Sequence, residues 1–251
     1  MMQILGKLLA VIRLIIIFFL VPFHGFAVAI LPTKSHRLRA YVIQSFGKTL
    51  TWALGVHITC VGQAARQHAI LISNHRSYAD IPILSGLSPV VFLAKADVAH
   101  WPLLGWAARK ARTVFVDRND PNSREQSRLE LRKRLEEGLS ILVFSEGTTT
   151  ARGTLNPLKP GMFHEAAAAQ LPIQLVYIEF AEDEDSWIDD EPVGKHFFAR
   201  FSRWQTKVKV VYKEDLIYGD PQQDNPGLAL CESATQWLHE QIKQEIGELK
   251  T

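Results

Sequence analysis

With 251 residues the chain is long enough to bury a complete core, and one catalytic domain plus an N-terminal appendage fits that length. A formal net charge of +2 argues against a nucleic-acid partner, and the two cysteines, Cys60 and Cys231, match no metal-ligand spacing. They read as reduced thiols.

The chain opens on an apolar stretch. Leu14 to Leu31 is a run of 18 residues without a formal charge, and Leu8 to Ile12 extend it, with Arg13 as the interruption. A helix needs roughly 20 apolar residues to cross a bilayer core, so the length suffices. Three arrangements fit. One is a signal peptide cleaved near Ala27-Val28-Ala29, one a single span, and one a helical hairpin in a single leaflet, broken near Pro22-Phe23-His24-Gly25. The basic flank of Lys34, His36, Arg37 and Arg39 favours membrane attachment over cleavage, and by the positive-inside rule it holds the domain behind it in the cytoplasm. Residues 1–60 are accordingly assigned to membrane-associated helices and 61–251 to a catalytic domain. From Ala40 to Val61 the mixed pattern suits a helix lying on the membrane or packed on the core.

Beyond that point short apolar runs alternate with helical stretches. Ala69–Ile72, Val90–Leu93, Thr113–Val116, Ile141–Phe144, Ile173–Phe180 and Val208–Tyr212 read as strands, many of them buried on both faces. Ser123 is placed to cap a surface helix that stops at Gly138, and Gly161–Gln170 and Leu228–Leu249 are further helix candidates. This alternation predicts an α/β domain with a mostly parallel central sheet flanked by helices. The run Glu182 to Glu191, with seven carboxylates in ten residues, reads as a solvated loop.

Chemistry concentrates at two strand ends. His75 follows the Ala69–Ile72 run within Asn74-His75-Arg76-Ser77-Tyr78-Ala79-Asp80, and Glu146-Gly147-Thr148-Thr149 follows Ile141–Phe144. Ligand sites of open α/β sheets form beyond the carboxyl ends of strands, so the two segments can converge. A histidine and an aspartate five positions apart are the minimum for an oriented general base, provided His75 sits in a loop and Asp80 in the first helical turn. Pro82 suits an early helical position. No serine or cysteine stands beside the histidine as a nucleophile, and Ser145 lacks the preceding glycine of a G-x-S-x-G elbow. The base therefore acts on a hydroxyl that arrives with the substrate.

In their order along the chain, the Asn74–Asp80 box, the Phe115-Val116-Asp117-Arg118 box and the Phe144–Thr148 box resemble those of the glycerolipid acyltransferases. The pattern is most similar to that of the 1-acylglycerol-3-phosphate O-acyltransferases, or lysophosphatidic acid acyltransferases. That resemblance implies a membrane enzyme of phospholipid biosynthesis. It would move a fatty acyl group from acyl-coenzyme A or acyl-carrier protein to the free hydroxyl of 1-acylglycerol-3-phosphate, giving phosphatidic acid without a cofactor or metal. It implies His75 as base and Asp80 as its orienting partner, with Asn74 helping to hold the turn. It also implies that Glu146, Gly147 and Thr148 shape the acceptor site, with the Gly147 and Thr148 amides as candidate oxyanion donors. Arg118 is the implied phosphate ligand, with Lys95 and Arg152 as further cations in or near the boxes.

One position departs from the pattern. Many lysophosphatidic acid enzymes carry arginine directly after E-G-T, where this chain has Thr149. Relatives with threonine there include enzymes for other lysolipids, such as lyso-ornithine lipid. Two alternatives follow: acyl transfer to such a lysolipid, or a non-catalytic lipid-binding protein on the same fold.

Overall fold

The computed structural model describes residues 2–32, 35–101, 104–117, 119–188 and 191–248. The apolar start forms one helix, α1 (Met2–Ile30), which runs on through Pro22. It is not broken at Pro22–Gly25. The chain turns back after residue 30 instead, into α2 (His36–Ala53), and the stretch expected to be helical as far as Val61 gives way after Gly55 to a strand, β1 (Val56–Val61). The sheet thus begins inside the segment assigned from sequence to the membrane-associated helices.

β2 (Ile70–Ser73), β3 (Val90–Lys95), β4 (Val114–Val116), β5 (Ser140–Phe144), β6 (Ile173–Phe180) and β7 (Thr206–Tyr212) complete a seven-stranded sheet of order β1-β7-β6-β2-β5-β3-β4. β6, β2, β5, β3 and β4 run parallel, as expected for strands joined through helices. β7 returns antiparallel to β6 and carries β1 on its far side. The central position of β2 explains its sequence, since Ile70, Leu71, Ile72 and Ser73 are all buried.

Alternate residues of each strand feed two cores. On one face Ile70, Ile72, Ile141, Val143 and Ile173 pack under α5 (Pro121–Glu136), α6 (Gly161–Ala168) and α8 (Pro226–Glu248). On the other, Leu71, Leu142, Val176 and Ile178 meet α2, α3 (Asp80–Leu87) and α7 (Val193–Arg200). The cap of α5 is Asp120 rather than Ser123: its side chain accepts from Asn122 N at 2.9 Å, with Pro121 at the first helical position. Ser123 turns outward from the helix and accepts from Asp117 N at 2.9 Å.

α1 lies lengthwise against the domain. Gly6 fits over Ser202 O, and Gly25 leaves room for the Trp106 ring of α4 (Leu104–Lys110), where a Cβ would overlap it. Those two glycines are 19 residues apart, about 29 Å of helix at 1.5 Å per residue. The opposite face, with Leu5, Leu8, Ile15, Phe18, Phe19 and Phe26, is bare.

Candidate active site

His75 leaves the end of β2 in a loop, and Asp80 opens α3, so the two residues meet across a helix entrance rather than along a helix. His75 Nδ1 lies 2.8 Å from Asp80 Oδ2. The same oxygen accepts from Arg76 N at 2.6 Å and Ser77 N at 3.0 Å, which wraps the loop around a carboxylate with no exposure. A carboxylate only accepts, so Nδ1 carries the proton and Nε2 presents a lone pair. The ring stacks on Phe144 at 3.9 Å between centroids, which fixes its plane.

The main chain of His75 is held from both sides by the segment after β5. Its N–H donates to Glu146 Oε1 at 2.8 Å, and its carbonyl accepts from Thr150 N at 2.9 Å and Thr150 Oγ1 at 3.1 Å. Glu146 Oε2 accepts from Asn156 N at 2.8 Å. Burial pushes the Glu146 carboxyl above its ordinary range, against the pull of these two amides. Gly147 adopts φ +83°, which a Cβ disfavours, and its amide donates to Phe144 O at 3.1 Å. That amide closes a turn. Thr148 is exposed at its tip.

Beneath the loop lies an ion pair. Arg76 has no exposure and reaches Glu179 of β6 through two bonds, Nε to Oε1 at 2.8 Å and Nη2 to Oε2 at 2.9 Å. Its Nη1 donates to Thr150 Oγ1 at 2.5 Å. Glu179 also accepts from Tyr177 Oη at 3.1 Å and Gly153 N at 3.0 Å, which satisfies the buried carboxylate. Burial works against the Arg76 charge, and Glu179 more than offsets it, so its pKa is raised. Asn74 is a strap: its amide exchanges two 2.8 Å bonds with Ile178 N and O.

The structure brings His75, Asp80, Asn74, Glu146, Gly147 and Thr149 to the carboxyl ends of β2 and β5. The cations distribute differently. Arg152 donates to Phe180 O at 2.7 Å and to Asp183 at 3.1 Å. Lys95, at the exposed end of β3, pairs with Asp97 at 2.5 Å. Arg118 lies outside the described residues. Thr149 Oγ1 donates to Trp187 O.

Trp187 belongs to the acidic run expected to be a solvated loop, which instead packs on the site. Trp187 N donates to Arg76 O at 2.8 Å, its ring meets Tyr78 edge-on at 5.6 Å, and buried Asp185 pairs with Arg203. Tyr78 Oη lies 3.0 Å from His196 Nδ1 of α7. Sequence reasoning passed over Arg76, Glu179, Thr150, Tyr78 and Trp187. One signal was present: a lone carboxylate in the apolar run Ile173–Phe180 needs a buried cation.

Residues 57–179 match the model of the family described as Acyltransferase, and that stretch holds all three boxes. The chain therefore carries a domain of the acyltransferase family. It is 38% identical over 131 residues to a lyso-ornithine lipid O-acyltransferase of Pseudomonas aeruginosa, covering 52% of this chain and 50% of that one. It is 37% identical over 131 residues to a 1-acyl-sn-glycerol-3-phosphate acyltransferase of Limnanthes alba, covering 51% of this chain and 47% of that one. The chain thus spans about half the length of these relatives. Its fold is that of the 1-acyl-sn-glycerophosphate (LPA) acyltransferase PlsC from Thermotoga maritima, with a TM-score of 0.71 and 21% identity over 97% of each chain.

Proposed function

We propose that the protein is a membrane-associated O-acyltransferase that moves a fatty acyl group from an acyl thioester to the free hydroxyl of a lysolipid. The observation that carries this reading is the His75 Nδ1–Asp80 Oδ2 bond, which leaves Nε2 as an oriented base. Nε2 takes the proton of the lysolipid hydroxyl as its oxygen attacks the thioester carbonyl carbon. Asp80 stabilises the imidazolium that forms. The tetrahedral oxyanion collapses, the C–S bond breaks, and the departing thiolate takes the proton from Nε2. The products are a diacyl lipid and a free thiol.

The first acceptor suggested by the boxes is 1-acylglycerol-3-phosphate. A second is favoured by two observations: Thr149 is tied to Trp187 O, and Arg152 is engaged with Phe180 O and Asp183. Neither side chain is aimed as a bidentate phosphate grip. A lysolipid without a terminal phosphomonoester, of the kind the Pseudomonas relative is named for, is the acceptor we favour. The bare face of α1, set lengthwise on the domain, supports seating in one leaflet.

The test is thiol release from palmitoyl-coenzyme A, repeated with acyl-carrier protein, by the full chain in vesicles. Lysophosphatidic acid, lyso-ornithine lipid and lysophosphatidylcholine serve as acceptors. Release is expected with lyso-ornithine lipid above the others, and the His75→Ala variant should lose about 10²–10⁴ of it. Preference for lysophosphatidic acid would overturn the acceptor assignment. Silence with every acceptor, or wild-type turnover in His75→Ala, would overturn the reaction.

A further inference from the structure

Arg13 is the one arginine or lysine between Leu8 and Leu31, and it is buried. A guanidinium on an apolar helix is costly unless its donors are satisfied. Here Nη1 donates to Phe201 O at 2.8 Å and Arg203 O at 2.7 Å, and Nη2 donates to Trp204 O at 2.8 Å. These carbonyls follow the end of α7, where backbone acceptors lack helical partners and the dipole favours a cation. The recess is built for the contact. Gly55, at φ +70°, lies against Arg13 Nη2, and any Cβ there would overlap it. Two turns earlier on α1, Gly6 lets the helix backbone close onto Ser202 O of the same turn.

That turn leads to the catalytic loop. Phe201 is buried and its ring packs on Phe197 at 5.1 Å and on Tyr78 at 6.4 Å. From α7, His196 Nδ1 meets Tyr78 Oη at 3.0 Å. Tyr78 lies between His75 and Asp80, in the loop whose amides at Arg76 and Ser77 hold the Asp80 carboxylate. Three contacts therefore join the apolar helix to the His75–Asp80 pair: Arg13 to the carbonyls of the 201–204 turn, Phe201 of that turn to Tyr78, and His196 of α7 to Tyr78.

We propose that Arg13 is a positioning residue, which seats α1 on the 201–204 turn and through Phe201, His196 and Tyr78 holds the 75–80 loop in its working geometry. Its effect on turnover rests on the acyl-transfer reading above; its effect on the loop does not. The experiment compares the full chain with Arg13→Met, Arg13→Lys and Tyr78→Phe in phosphatidylcholine vesicles, by hydrogen exchange and by steady-state acyl transfer. Arg13→Met keeps the length and apolar character of the helix, so it should remain on the vesicles. Its amides at Arg76 and Ser77 are expected to exchange about tenfold faster, the change that corresponds to about 1.4 kcal/mol of lost loop protection. Turnover should fall about tenfold with KM unchanged, because the substrates still bind and the base is misplaced. Arg13→Lys, which restores a cation at the carbonyls, should recover part of both. In the double variant, adding Tyr78→Phe to Arg13→Met should cost less than it does alone, as for two breaks in one connection. Unchanged exchange at 76 and 77 in Arg13→Met would overturn the proposal, as would fully additive effects. An inactive wild type would overturn the acyl-transfer reading alone, with exchange still deciding the role of Arg13.

Discussion

Arg76 stands next to the proposed base, yet its side chain is buried away from any surface a substrate could reach. Its guanidinium and the Glu179 carboxylate are 0% and 1% exposed and meet through two bonds. Removing one member of such a pair leaves the other charge buried without its counterion, at a cost of about 3–5 kcal/mol. Arg76→Met is therefore expected to lower unfolding stability by about that amount in urea titration. A loss under about 1 kcal/mol would mean that water reaches Glu179 in the variant. The residue was visible in the Asn74–Asp80 box, but its role was not. Its partner lies 103 positions away, and no local spacing reports a contact of that range. The place of Asp80 was legible for the opposite reason, since a pair five residues apart can meet where a loop enters a helix and Pro82 suits that early helical position.

At the scale of elements, the orientation of Asp80 is that of α3, and α3 is set by its crossing with α2. The helices approach at Gly47 and Gly86, where a Cβ on Gly47 would overlap Gly86 N and Pro82 O. Gly47→Ala should separate them, destabilising by about 1–3 kcal/mol as overpacking does. A displacement of about 1 Å at the N-terminus of α3 can cost about 10²-fold in rate. Thermal melting and turnover measured together would detect both effects, and a variant unaltered in each would place the control of α3 elsewhere. The buried parallel strands were legible as apolar runs, and six of the seven fell where their Val, Ile and Leu content put them. β1 was not. As an edge strand, Val56-His57-Ile58-Thr59-Cys60-Val61 turns only Val56 and Ile58 partly onto the core and exposes the rest, so its alternation is too short to stand out in the sequence. The acidic run misled for a related reason. Glu182, Asp183 and Glu184 are exposed, as composition implies, but Asp185 and Trp187 within the run turn inward, and composition averages over them.

For the whole molecule, acid sensitivity follows from histidines that fold in their neutral form. Burial first, with Arg200 adding to it, holds His196 below its ordinary value of 6.5; burial and then Arg37 do the same to His68. Below pH 6.5 the unfolded chain binds protons that the folded chain refuses, so stability is present above that value and is lost as pH falls toward the depressed ones. Melting temperature should decline from about pH 7.5 to about pH 5, and His196→Gln should flatten part of the slope. A variant with the full wild-type slope would remove His196 from this account. The lengthwise seat of α1 reaches further, into kinetics. A catalyst whose anchor lies flat along its own body meets an acceptor by lateral diffusion in two dimensions. On the acyl-transfer reading proposed above, its rate would then follow the mole fraction of lysolipid in the surface it occupies, so inert phospholipid should slow it while dilution of the vesicle suspension should not.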